Sequence, residues 1–391
     1  MKSILLLSIY ILCTFYYSCN KQEAKNLLSA DHYTITNTHL QDQAVIDDFF
    51  ELRTIEIAAD VYQSIGVDLV KFVVAEELLL LADMYNGKIQ AVNFDGTIAW
   101  QLAAEDDNPY RFPSLMNIEF DDTQQRVGVY SDIENAYYWY DLEGDFIEKE
   151  ALEYFFTYRS CQDDCCIFDS YAVDNRAWTN AADNYGLIMD CKGVVSTFNK
   201  SGEINYSRVQ FSGYDTFTQL DDQIFFRRSF FDSIYSVDFV SGEVNWIYNL
   251  DFERNSISQD IAENQNIQSP LSELMAQGAP MLLQTVRDQE HVYSIYRSTG
   301  GGYKLSIIDN AGNNLVNSAV LTWGGLAFSA PILYSDGWFL TRMKDYEFTY
   351  WQQRRAADFE HLPEAEAQLQ TAYEQQGDNS GAVLVLLRVK N

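Results

Sequence analysis

The sequence predicts an all-β fold, a six-bladed β-propeller with four-stranded antiparallel blades. Three observations predict it. A unit of strand, tight turn, strand, turn and strand recurs along the chain. Each copy carries a glycine in its last turn. An alternating segment near the start and an apolar strand at the end offer the two missing pieces of a closing blade. Repeated antiparallel sheets of about this period read as blades around an axis.

The first copy is Leu78–Ala82, a turn over Asp83–Gly87, Lys88–Phe94, a turn at Asp95-Gly96, and Thr97–Leu102. The second has Val127–Ser131, Tyr137–Tyr140 and, after Gly144, Asp145–Glu148. The third has Leu187–Asp190, Val194–Phe198 and, after Gly202, Glu203–Val209. The fourth has Ile224–Arg228, Ile234–Phe239 and, after Gly242, Glu243–Leu250. The fifth has Val292–Tyr296, Tyr303–Ile308 and, after Gly312, Asn313–Val320. Tyr, Phe, Val and Ile are frequent in these runs, as pleated and half-buried surfaces favour. The sixth sheet begins with Gly337–Arg342 and ends with Ala382–Val389. Leu52–Ile57 alternates as a strand does, and pairing 52–57 with 382–389 closes the ring and removes an exposed edge.

Two small helices interrupt the pattern. One lies near 269–278, with Ser269 as cap, Pro270 at the first helical position and Gly278 as stop. The other lies near 363–376, where Leu362, Ala365, Leu369, Ala372 and Tyr373 share one face.

The N-terminus reads as a targeting segment. Lys2 precedes the apolar run Ile4–Tyr17, which is shorter than the roughly 20 residues that span a bilayer. Ser18-Cys19 and a polar stretch follow. A small residue before Cys at the end of a short apolar run looks like a bacterial lipoprotein signal over 1–18, with Cys19 as the lipidated residue. An uncleaved anchor and ordinary secretion are the alternatives. Residues 19–48 then read as a polar tether, and 49–391 as the propeller. The formal charge of −31 argues against nucleic acid and against an electrostatic hold on anionic lipid, so contact with the membrane is expected through the N-terminal lipid alone.

Cys161, Cys165, Cys166 and Cys191 remain after the signal and Cys19 are set aside. Export favours disulfides among them. Adjacent Cys165 and Cys166 rarely bond each other, and a bridge from the 161–166 loop to Cys191 is the expected link. The spacing lacks the paired knuckles of a zinc site, so no metal is expected there.

The stretches Leu79–Asp83, Gly87–Ile89, Phe94–Gly96, Phe231–Tyr235 and Gly381–Lys390 resemble the six-bladed β-propeller lipoproteins of Bacteroidota, whose blades are NHL-like. The resemblance spans about residues 50–391. It implies the fold and an export route, and no established reaction.

In similar NHL blades the second strand ends at the top surface. That place is read as Asp83, Asp132, Asp190, Arg228, Arg297 and Arg342, acids in the first three copies and arginines in the last three. Such a ring orients a polar or zwitterionic ligand, since Arg recognises carboxylates bidentately. Tyr85, Tyr110, Arg111, Tyr158 and Arg159 are expected on neighbouring loops. The alternative is that these charges pair with one another and stiffen the turns.

Four histidines are scattered through the chain without a metal-binding spacing, and no nucleophile elbow or P-loop occurs. No catalytic residue, cofactor or metal is therefore expected. The reading is a monomeric, lipid-anchored binding propeller of the cell envelope, most simply in the outer membrane. Its partner is a small molecule, glycan, peptide or envelope protein. The alternative is an exported hydrolase or lyase that uses the top-face acids and arginines.

Overall fold

The computed structural model describes residues 31–35, 41–58, 71–105, 108–153, 155–156, 158–162, 165–169, 187–191, 194–198, 217–220, 223–227, 233–238, 243–251, 281–297, 302–324, 326–335, 337–344 and 382–390. They form 28 strands and, among the described residues, no helix. The helices expected near 269–278 and 363–376 lie outside the described residues, as do Cys19 and the signal.

Three strands precede the first sheet: β1 (Asp31–Thr34), β2 (Ala44–Val45) and β3 (Phe50–Ile57). The first sheet is β4 (Lys71–Ala75), β5 (Leu78–Asp83), β6 (Lys88–Asn93) and β7 (Ile98–Ala103). The second is β8 (Asn117–Asp121), β9 (Arg126–Ser131), β10 (Ala136–Tyr140) and β11 (Phe146–Ala151). The third is β12 (Tyr158–Gln162), β13 (Cys165–Asp169), β14 (Leu187–Cys191) and β15 (Val194–Phe198). The fourth has β16 (Phe217–Leu220), β17 (Gln223–Arg227), β18 (Ser233–Asp238), β19 (Glu243–Asp251) and, beyond β19, β1. The fifth is β20 (Met281–Arg287), β21 (His291–Arg297), β22 (Tyr303–Asp309) and β23 (Asn314–Ser318). A small sixth sheet joins β24 (Val320–Trp323) and β25 (Leu326–Ser329) to β2. The seventh is β26 (Leu333–Ser335), β27 (Trp338–Lys344), β28 (Ala382–Val389) and β3.

Among the described residues seven sheets therefore stand where six were expected, and they are not all four-stranded. The extra sheet is a short hairpin inserted between the fifth and seventh, completed by β2. The fifth strand of the fourth sheet is β1. Both additions come from the segment expected as a polar tether. β1 runs parallel to the outer edge of β19, from Asp31 opposite Tyr248 to Thr34 opposite Asp251. An edge as long as β19 is an open template for pairing, and covering it leads Ile35 into full burial. β2 lies parallel to β24, with Ala44 and Ile46 in the core. These short segments lack an apolar alternation, so no sequence period marks them.

β28 is an apolar run, buried at seven of its eight positions, as a strand covered on both faces must be. It sits between β27 and β3. β3 pairs with it over its whole length, from Ala382 opposite Ile57 to Val389 opposite Phe50. The turn after β6 packs on this closing strand. Gly96 adopts φ +87°, and a Cβ there would lie 1.8 Å from the Glu56 carbonyl oxygen, so no side chain fits.

The core is a set of layers between successive sheets. Leu80 and Ile89 meet Val129 and Tyr138 between the first and second. Tyr130 and Trp139 meet Phe156 and Phe168 between the second and third. Ile167 meets Phe217 and Phe226 between the third and fourth. Phe225 and Ile234 share a cluster with Tyr293, Phe339 and Val385, which joins the fourth, fifth and seventh. Leu384 and Ile55 meet Phe72 and Leu81 between the seventh and first. The layers close a cycle.

Candidate functional site

The end of each second strand lies beside the start of the first, which defines one end of the sheets. In the first sheet Asp83 ends β5 and is 2% exposed. Its carboxylate accepts the Asn86 backbone N–H at 3.0 Å and Asn86 Nδ2 at 2.6 Å. Asp83 therefore fastens the turn that carries Tyr85, whose side chain is 86% exposed. In the second sheet Asp132 follows β9 and accepts a 2.7 Å hydrogen bond from Ser114 Oγ, which also meets Ser131 Oγ at 2.7 Å. These bonds tie the 104–116 connection to the turn bearing Ile133, 66% exposed.

The third sheet corrects the expected ring. Asp190 lies on β14, opposite Cys166 near the start of β13, and so at the far end of the sheet. The matching residue is the buried Asp169, which ends β13. The error has one source: the cysteine-rich segment is not a loop but the β12–β13 hairpin, so β14 is the third strand and not the second. In the fourth sheet Arg228 lies outside the described residues. Its neighbour Arg227 is buried, and its guanidinium donates to the Leu282 carbonyl at 3.0 Å and to that of Leu283. Both carbonyls belong to β20 where its register shifts. Arg297 ends β21 opposite Met281 and Tyr303. Arg342 lies inside β27 opposite Leu384, two residues short of the strand end. Arg297 and Arg342 do not hold matching places.

Arg159, expected on a loop, lies in β12, and so does the buried Tyr158. The Arg159 side chain is 7% exposed. Its Nε donates to Glu119 of β8 at 2.9 and 3.1 Å, and its Nη2 to the same carboxylate. The guanidinium stacks 3.7 Å above the Tyr137 ring. Tyr137 Oη donates to Glu119 at 2.8 Å, and Arg126 stacks 3.8 Å from Trp139 beside it. Burial works most strongly against the charged guanidinium, but Glu119, Tyr137 and Glu150 together more than offset it and raise its proton affinity above the ordinary Arg value. This cation joins the second and third sheets and is committed to that task.

Arg111 and Tyr110 sit on a loop closed by the Glu105 N–H donating to Phe112 O at 3.1 Å. The Tyr110 ring is 63% exposed and meets Phe146 edge-on at 5.4 Å. Tyr140 Oη donates to its carbonyl at 3.1 Å. Burial pushes the Tyr140 phenol up and Arg111 opposes that shift. Arg111 Nη1 is enclosed and has no partner among the described residues.

The cysteines form two cross-strand bridges. Cys161 bonds Cys166, directly opposite across β12 and β13, and Cys165 bonds Cys191, directly opposite across β13 and β14. Among the described residues no group of three or more His, Cys, Asp or Glu is placed to hold a metal, and no helix is long and apolar enough to cross a membrane.

A cleft that sequence reasoning missed lies at the opposite end of the first two sheets. It has a volume of about 390 Å³ and runs between the β4–β5 turn, Trp100 of β7 and the β10–β11 turn. Trp100 and Leu142 are far apart in sequence and meet only because two sheets pack, so no local pattern announces the cleft.

The chain belongs to the family described as 6-bladed beta-propeller, whose model matches residues 22–319. A protein from Bacteroides fragilis NCTC 9343, which carries a provisional name of exported protein, superposes with a TM-score of 0.62. It is 12% identical, over 92% of this chain and 100% of its own, so the likeness bears on the fold alone. A member of the DUF4221 family from Bacteroides vulgatus gives a TM-score of 0.41 at 10% identity, over 88% of this chain and 99% of its own. No curated protein matches the sequence.

Proposed function

We propose that this member of the 6-bladed beta-propeller family is an exported, lipid-anchored protein of the cell envelope that binds a ligand without transforming it. Recognition falls to the turns and connections of the first two sheets. One observation carries the reading: Tyr85, Tyr110 and Ile133 are 86%, 63% and 66% exposed on segments whose own hydrogen bonds hold them in place. Apolar groups held outward on a rigid scaffold offer contact area at little ordering cost. The neighbouring charges Asp83 and Asp132 serve the turns, which leaves the rings to meet a glycan, a peptide or a small molecule. The lipoprotein-like segment ending at Cys19 and the name of the Bacteroides fragilis relative support export.

Two experiments test it. The mature protein is screened against glycan and peptide arrays, and the hit is titrated against Tyr85→Ala and Tyr110→Ala. A loss of about tenfold in affinity at unchanged melting temperature is expected. Unchanged affinity in both variants overturns the assignment of these turns. Palmitate labelling should disappear in Cys19→Ser, and labelling that survives refutes lipidation at that residue.

A further inference from the structure

Arg111 is a cation without a counter-charge among the described residues. Arg126 meets Asp121 and Glu148, Lys149 meets Glu134, and Arg159 meets Glu119. Arg111 forms no ion pair with the described residues, and its guanidinium donates no hydrogen bond to them. This holds in a chain with 57 acidic residues against 26 basic ones. The side chain is partly buried near the Tyr140 phenol. Nη1 is enclosed and unpartnered, while Nε and Nη2 are not enclosed. An enclosed donor on a charged group is costly without an acceptor close to that charge, and an incoming anion relieves the cost.

The two open groups are the edge that fits a carboxylate. Nε–H and one N–H of Nη2 run parallel and match its two oxygens. The protein uses this same edge in Arg159, whose Nε and Nη2 both donate to Glu119. The backbone that carries Arg111 is fixed in advance. Its N–H donates to the Asn108 carbonyl at 3.0 Å, and the Tyr110 N–H donates to Asn108 Oδ1 at 3.0 Å. Phe112, the next residue, is fully buried. The exposed ring of Tyr110 is one residue away on the same fastened loop. A fork held on a fixed backbone loses little freedom when it binds.

We propose that Arg111 anchors a carboxylate of the ligand. The carboxylate is the recognised group, whether a sugar acid or an acidic amino acid supplies it. This inference rests on the reading of the Tyr110 connection as a recognition surface, and it names the chemistry that surface selects.

The test is calorimetric titration of the full mature chain with three probes: tri-galacturonate, its methyl ester, and an acetylated tripeptide containing one glutamate. Saturable binding of at least one acid is expected. It should weaken at least about tenfold in Arg111→Gln, the scale of a lost charge-assisted hydrogen bond. Arg111→Lys keeps the charge without the fork and should lie between. The ester should bind more weakly than the acid, and Arg111→Gln should change its affinity little, a pattern that a merely structural arginine does not produce. Binding of tri-galacturonate alone identifies a sugar acid as the source of the carboxylate. Binding of the tripeptide alone identifies an acidic side chain, and binding of both shows that the carboxylate itself suffices. If Arg111→Gln fails to fold, added sodium chloride tests the unaltered protein, and it should weaken the acids and spare the ester. An array hit lost in Tyr110→Ala but kept in Arg111→Gln removes the carboxylate site and leaves the ring surface standing. Acid binding lost in Arg111→Gln but kept in Tyr85→Ala and Tyr110→Ala does the reverse. No binding of either acid up to millimolar concentration, or acid binding that Arg111→Gln leaves unchanged, overturns the proposal.

Discussion

Gly128 of β9 lies directly opposite Trp139 of β10, and a Cβ on it would sit 2.7 Å from the indole ring. Trp139 is 2% exposed, and its Nε1 donates to Glu150 at 2.7 Å, so the ring has nowhere to move. The glycine is the space into which the tryptophan packs. Gly128→Ala should destabilise the protein by about 1–3 kcal/mol, the usual cost of overpacking a filled layer. Thermal or denaturant melting reads it, and a variant that melts with the parent would mean that the ring can shift.

Arg159 and Glu119 form a partly buried pair across two sheets. Replacing Arg159 by Met removes the cation and leaves Glu119 facing Tyr137 without its main partner. A loss of about 3 kcal/mol is expected, since breaking such a pair strands a charge. Adding Glu119→Gln to Arg159→Met should recover part of it. A single variant as stable as the parent would show that the pair contributes nothing.

The two disulfides should differ in weight. Cys165–Cys191 closes a separation of 26 residues and Cys161–Cys166 one of 5. A longer closed loop restricts the unfolded chain more, so Cys165→Ala, Cys191→Ala should cost roughly 3 kcal/mol and the other pair less. Denaturant titration of both double variants decides it, and the reverse order would refute the loop-length account.

Truncation from the N-terminus should act in steps. A chain starting at Asp31 keeps every described strand and should melt like the full protein. One starting after Ile35 uncovers the edge of β19 and loses a fully buried side chain. One starting after Ile57 strips β3 from β28, exposes a strand of almost wholly apolar residues and should aggregate. Light scattering and melting of the three shortened chains check this series. A soluble, cooperative protein lacking residues up to Ile57 would show that β3 does not close the ring.

The strands and turns of the repeat were legible because each is a local matter. Apolar residues recur with the period of a pleated strand, and Gly96, Gly144 and Gly312 each adopt the positive φ, between 85° and 87°, that their turns demand. The propeller architecture followed from repetition of that unit. The third sheet was misread because the hairpin holding Cys161 and Cys166 carries too little apolar alternation to look like strands, and the register of Asp190 was lost with it.

By itself, the sequence determined the all-β repeat, the hairpins and their glycines, since these depend on neighbours a few residues apart. Only the tertiary structure decided that β1 covers β19, that the small sixth sheet forms, and that Arg159 belongs to Glu119 and not to a ligand. It also placed Trp100 against Leu142 and Gly144. Each of these contacts joins segments tens to hundreds of residues apart. Their partners are chosen by which sheet edges stand open and by how sheets pack face to face, and neither leaves a period in the chain for a reader to find.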